Sequence, residues 1–147
     1  MKFKFKIQQY QTDAVENTVA VFTGQPSHGM AVYRIDPGKR EKNFFDEEDY
    51  TGYRNHQLEL DSPTLLKNIN AIQNLYDITP SSTLAKGVGA VNLDIEMETG
   101  TGKTYVYIKT MFELHKQYGW SKFIIVVPSI AIREGVAKSI KMLEEHF

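Results

Sequence analysis

The feature that most constrains this chain is the run from Val91 to Thr110, VNLDIEMETGTGKTYVYIKT. It reads as an apolar strand, a glycine-rich turn and the start of a helix. Gly100 and Gly102 flank Thr101, and Lys103 and Thr104 follow. Glycines let backbone N–H groups turn inward and approach an anion with no side chain in the way. The helix behind them offers its free N-terminal N–H groups and the positive end of its dipole to the same point. Lys103 has the reach for the β- and γ-phosphates of a nucleotide, and the Thr104 hydroxyl can ligate Mg²⁺. The expected site therefore comprises Thr99, Gly100, Thr101, Gly102, Lys103 and Thr104, with Lys103 and Thr104 catalytic and Thr104 also the metal ligand. The competing reading is a chance glycine turn ahead of a helix.

The surrounding pattern supports a strand–helix–strand–helix order. Val91 to Met97 is the first strand, and Lys103 to Tyr118 is a helix stopped by Gly119. KFIIVVP, Lys122 to Pro128, is an almost wholly apolar run, as expected of a strand covered on both faces. Ile132 to about Phe147 is a second helix. One such unit implies an α/β fold with a parallel sheet. Upstream, Met1 to Ile7 alternates apolar residues with lysine as a short half-buried strand does. Tyr10, Ala14, Val15, Thr18, Val19 and Phe22 mark an amphipathic helix that Gly24 and Pro26 end. Residues 24–62 read as an inserted loop or hairpin with a basic GKREK and an acidic DEEDY cluster. SPTLLKNINAIQNLYDI is a helix with Ser62 as its cap and Pro63 at its first position. We expect one unit over residues 1–147, in which 24–90 is an inserted loop and helical region and 91–147 is the core.

Composition narrows the choice. With 147 residues, 41% hydrophobic and 24% charged, the chain can bury one core. A net charge of −1 gives no global basic field, so contact with nucleic acid must be local. There are no cysteines, which removes disulfides, thiolate metal sites and cysteine catalysis and fits a reducing cytoplasm. No stretch has the length or continuity of a membrane span or signal peptide, so no membrane partner is expected. His28, His56, His115 and His146 read as scattered and unpaired, whereas a metal site needs clustered ligands. Tyr105, Tyr107, Phe112, Tyr118 and Trp120 read as packing around the helix after the glycine turn. Lys39, Arg40, Lys42 and the acidic run Asp46 to Asp49 read as solvated loop charges.

Two further elements join the glycine turn. Gln11, in YQTDAV, can pair with N6 and N7 of adenine and so select ATP; Gln8 and Gln9 lie beside it. Tyr10 is expected to pack locally. Met97 stands where many phosphate loops carry their first glycine, and METGTGKT resembles the A-x-x-G-[ST]-G-K-[ST] loop of superfamily 2 helicases and translocases, with Met for Ala. Y-Q-x-x-A ahead of such a loop looks like the Q motif of that superfamily. In the same motors the strand end at FIIVVPSIAIREGV corresponds to motif Ia, which lies along nucleic acid; Ser129 and Arg133 are its candidate DNA contacts. On spacing alone the favoured reading is an ordinary strand-to-helix turn with Ser129 as its cap.

Taken together, YQTDAV, LLKNINAIQ and the run from Leu93 to Val136 resemble the N-terminal part of the restriction (Res) subunit of type III restriction-modification enzymes. The resemblance implies part of a RecA-like P-loop NTPase lobe that uses ATP and Mg²⁺. It implies as partners double-stranded DNA, the DNA-methylating Mod subunit and the remaining portion of a Res chain with its second lobe and nuclease. Motif II, D-E-x-[HD], is not in these residues, so we expect a domain truncated before motif II that by itself binds nucleotide weakly, or not measurably, and turns over no ATP. No D-x-K or E-x-K triplet of the nuclease occurs either. Alternatives are another superfamily 2 motor, such as a type I restriction motor or a repair helicase, and an inactive truncated product or interaction module.

Overall fold

The computed structural model describes residues 7–28, 55–87 and 89–143. Its regular elements are four helices: α1 (Gln9–Ala20), α2 (Ser62–Leu75), α3 (Lys103–Tyr118) and α4 (Ile130–Leu143). The expected strand at Met1–Ile7, the basic GKREK cluster, the acidic Asp46–Asp49 run and His146 lie outside the described residues, Ile7 excepted.

The periodicity of α1 places Val15 and Val19 on one buried stripe, and this stripe packs against α3, where Val106 is equally buried. Helix α3 runs from the glycine turn to Tyr118, as its sequence pattern predicts. Gly119 ends it in the left-handed region at φ 73°, donating its N–H to the His115 carbonyl at 2.8 Å. The cap of α2 lies one residue earlier than expected. Asp61, not Ser62, is the N-cap, and its carboxylate accepts from the Thr64 N–H at 2.9 Å. A carboxylate there both takes an orphan N–H and faces the positive helix end. Leu65 is the deepest residue of α2, whereas Leu75 is 72% exposed in the last turn.

Beyond the helices, an aromatic corner closes the core. Trp120 meets Phe22 edge-on, with centroids 5.1 Å apart and planes at 89°, and Tyr118 lies 5.3 Å from Trp120. Polar side chains stitch the irregular segments to it. Asn55 accepts from the Ser121 and Lys122 N–H groups, each at 2.8 Å, and donates to the Lys122 carbonyl at 2.7 Å. The Trp120 indole donates to the His56 carbonyl at 3.0 Å. The buried Gln25 amide donates to the Gln57 carbonyl and accepts from the Glu59 N–H. Each bond satisfies a backbone group that no helix or ladder serves.

The architecture corrects the expected fold class. Among the described residues there is no strand and no sheet, so the α/β parallel sheet predicted from Val91–Met97 and Lys122–Pro128 is not present. A strand exists only through the neighbour that takes its backbone N–H and C=O groups. Among the described residues neither segment has such a neighbour. The apolar run of the second also lacks the two covering faces it was read to have, since Ile124 is 92% and Val126 is 87% exposed. In the first segment, Val91, Leu93 and Met97 lean on the helical core while Ile95 stays exposed.

Candidate functional site

The glycine turn lies immediately before α3. Gly100 and Gly102 both take left-handed backbone conformations, at φ 84° and 88°. Non-glycine residues reach that region only with strain. Gly102 is the N-cap of α3, with no side chain bonded across the cap, and its carbonyl accepts from the Val106 N–H at 3.1 Å. The turn is tied at its base by Thr101, whose hydroxyl donates to the Glu98 carbonyl at 2.7 Å. Met97 is not among the residues with positive φ, and its side chain packs against the core. The backbone at this position therefore has no need of glycine.

Lys103 is exposed and turns back over the loop. Its ammonium donates to the Met97 carbonyl at 2.7 Å and the Glu98 carbonyl at 2.9 Å. Two neutral carbonyls solvate the charge without neutralising it, so the ammonium keeps its attraction for an anion. A Cβ placed on Gly100 would meet nothing within 4 Å, so the turn is open on that side. Thr104 occupies the first turn of α3 and is half-buried.

Gln11 is brought to this turn from the first turn of α1. Its Nε2 donates to the Thr101 carbonyl at 2.9 Å, and its Oε1 accepts from the Gln8 N–H at 3.2 Å. Of the three neighbouring glutamines, Gln11 is the one that meets the loop; Gln9 instead bonds Asp13 at 2.8 Å. Tyr10 does not pack locally as its sequence suggests: its hydroxyl donates to the same Thr101 carbonyl at 3.0 Å. Adjacency to Gln11 at a helix start was the one sequence signal for it. A groove of about 590 Å³ also runs between α1 and α3, lined among others by Gln11, Val15, Tyr105, Lys109 and Glu113. No sequence pattern announces it, because its walls come from residues roughly ninety positions apart.

The other candidates fall elsewhere. Ser129 caps α4: its Oγ accepts from the Ile132 N–H at 3.3 Å, and its carbonyl accepts from the Arg133 N–H at 3.0 Å. The Arg133 guanidinium is exposed and pairs with its neighbour Glu134 at 2.9 Å. His28 and His56 are not scattered. Their rings stack at 4.2 Å, and His28 contacts the Glu59 carboxylate at 2.6 Å. Among the described residues, no group of three or more His, Cys, Asp or Glu side chains could hold a metal ion. None of their helices is long and apolar enough to cross a membrane.

A family model described as type III restriction enzyme, res subunit, matches residues 4–146. The Res subunit of the type III restriction-modification enzyme EcoP15I of Escherichia coli is 41% identical over 95 residues, which is 63% of this chain and 10% of that protein. The EcoPI Res subunit of Escherichia phage P1 is 41% identical over 106 residues, 69% of this chain and 11% of the relative. The StyLTI Res subunit of Salmonella typhimurium is 59% identical over 49 residues, 33% of this chain and 5% of the relative. The chain thus spans about a tenth of the length of the curated relatives it matches over most of its residues.

Proposed function

Because this chain belongs to the type III restriction enzyme Res subunit family, we propose that it supplies the ATP-binding loop of an ATP-driven, DNA-acting restriction subunit. The observation that carries this reading is the glycine turn at the start of α3, with two left-handed glycines, an exposed lysine bonded to two carbonyls and a glutamine from α1 on the Thr101 carbonyl. In this reading the backbone of Thr99 to Gly102 cradles phosphates, as a helix N-terminus behind a glycine turn favours. Lys103 leaves the Met97 and Glu98 carbonyls for the β- and γ-phosphates. Thr104 contributes its hydroxyl to a Mg²⁺ that arrives with the nucleotide, since Mg²⁺ is commonly held by phosphates and a few protein oxygens. Gln11 reads the adenine edge.

DNA is the proposed macromolecular substrate, with the Ser129 backbone and the exposed Arg133 as contacts to its phosphates. The relatives are named as Res subunits of restriction-modification enzymes. A modification (Mod) subunit and further Res sequence are therefore the proposed partners. Phosphoryl transfer needs a water-orienting acid and charge-stabilising arginines besides the phosphate loop; the proposal for these residues is binding and positioning, within a whole subunit that hydrolyses ATP and cuts DNA.

The test is a titration with a fluorescent ATP analogue in the presence of Mg²⁺. Loss of one charge-assisted contact in Lys103→Ala should weaken binding by about tenfold or more. A Lys103→Ala curve that superimposes on that of the unsubstituted chain would remove the reading.

A further inference from the structure

We infer that Tyr10 is a positioning residue for the glycine loop, its hydroxyl holding the Thr101 carbonyl and thereby fixing the direction of the Gly102 N–H. The inference deepens the nucleotide-binding reading and rests on it for its functional consequence.

Three observations converge. Tyr10 is 47% exposed, so its ring is not committed to the core. Its hydroxyl nevertheless reaches a carbonyl 91 positions away, at 3.0 Å. The carbonyl it holds belongs to the peptide that joins Thr101 to Gly102. A trans peptide is planar and places C=O and the following N–H on opposite sides. Drawing the Thr101 carbonyl toward α1 therefore turns the Gly102 N–H away from α1. Gly102, at φ 88°, has no Cβ to restrict that peptide from its own side. The bonds to Glu98 and Val106 fix the two ends of the turn, and the bonds from α1 act on the peptide between them.

Gln11 makes a second bond to the same carbonyl, yet it cannot serve as the permanent anchor. Both ends of its amide are engaged, Nε2 by Thr101 and Oε1 by the Gln8 N–H. Pairing with an adenine edge takes one N–H of Nε2 together with Oε1 on one edge of the amide, so presenting that edge to a base turns the amide away from its present partners. When Gln11 turns to a base, Tyr10 is the donor that stays on the carbonyl. The two adjacent residues thus divide the work: Gln11 reads, and Tyr10 keeps the loop in shape while it does.

Tyr10→Phe removes one oxygen and keeps the ring, and Gln11→Ala is its comparison. Two readouts are needed. The first is amide hydrogen exchange across residues 99–103 without nucleotide. Tyr10→Phe should speed exchange there about three- to tenfold, the worth of one neutral hydrogen bond, and leave core amides of α1 and α3 unchanged. The second is affinity for fluorescent ATP and GTP analogues. Tyr10→Phe should weaken both by one common factor, while Gln11→Ala should weaken ATP more than GTP. Exchange in Tyr10→Phe equal to that of the unsubstituted chain would overturn the inference. So would a change in the ATP-to-GTP ratio matching that of Gln11→Ala, which would place Tyr10 on the base. If the unsubstituted chain and Lys103→Ala both bind neither analogue, the nucleotide reading fails, and the exchange measurement still decides whether Tyr10 anchors the loop.

Discussion

The side-chain amide of Gln11 occupies the space into which a Cβ on residue 102 would project. Gly102 is therefore fixed twice, by a backbone conformation at φ 88° and by the close approach of a side chain from α1. Gly100 shares the first constraint and not the second, since the space around it is open.

That difference separates two alanine substitutions. Gly100→Ala meets only the cost of a left-handed alanine, about 1–2 kcal/mol. Gly102→Ala adds the displacement of Gln11 and the loss of its bond to Thr101, for a total of about 2–3 kcal/mol. Urea unfolding of both variants should rank Gly102→Ala as the less stable; equal midpoints would mean that Gln11 moves aside freely.

Asn55 gives a second prediction. One side chain serves three backbone groups of Ser121 and Lys122. Asn55→Ala leaves two N–H groups without their acceptor and should cost about 2–3 kcal/mol. Asn55→Asp keeps an acceptor for the two N–H groups but sets a carboxylate oxygen against the Lys122 carbonyl where the amide donated, so it should also destabilise, by about 1–3 kcal/mol. Thermal unfolding of both variants checks these losses, and a fully stable Asn55→Ala would show that the clamp holds nothing.

The pH dependence should have two limbs. The hydrogen bonds from Thr64 hold the Asp61 carboxyl below its ordinary value of 3.8. A depressed carboxylate stabilises the fold above 3.8, and that contribution is lost as pH falls further through the folded-state value. Burial raises the Tyr118 hydroxyl above its ordinary value of 10.0. The unfolded chain then ionises first, so stability falls as pH rises past 10. Circular dichroism across pH should show the acid limb flattened in Asp61→Asn and the alkaline limb flattened in Tyr118→Phe. Unchanged limbs in these variants would assign the titrations to other groups.

Much of the candidate site is legible in the linear sequence because its chemistry is local. Gly100, Gly102, Lys103 and Thr104 are consecutive enough that spacing alone defines a turn before a helix, and α3 begins at Lys103 as that spacing predicts. The α2 cap falls at Asp61 rather than the predicted Ser62: both are good caps, and the choice rests on which oxygen reaches the Thr64 N–H. The histidines looked unrelated because the 27 positions between His28 and His56 hide a ring contact of 4.2 Å.

The sequence by itself determined where α1 and α3 run, the glycine turn between Met97 and Lys103, and the family to which the chain belongs. Helices and turns are closed by bonds between residues three and four apart, so their cause lies within a short window. The tertiary structure alone decided three things. It set Gln11 rather than Gln8 or Gln9 on the loop, it brought Tyr10 to the Thr101 carbonyl, and among the described residues it left Val91–Met97 and Phe123–Val127 without a ladder. Each depends on a partner far along the chain. An apolar run of five residues has the composition of a strand wherever it stands, but it becomes one only when another backbone lies alongside to take its hydrogen bonds.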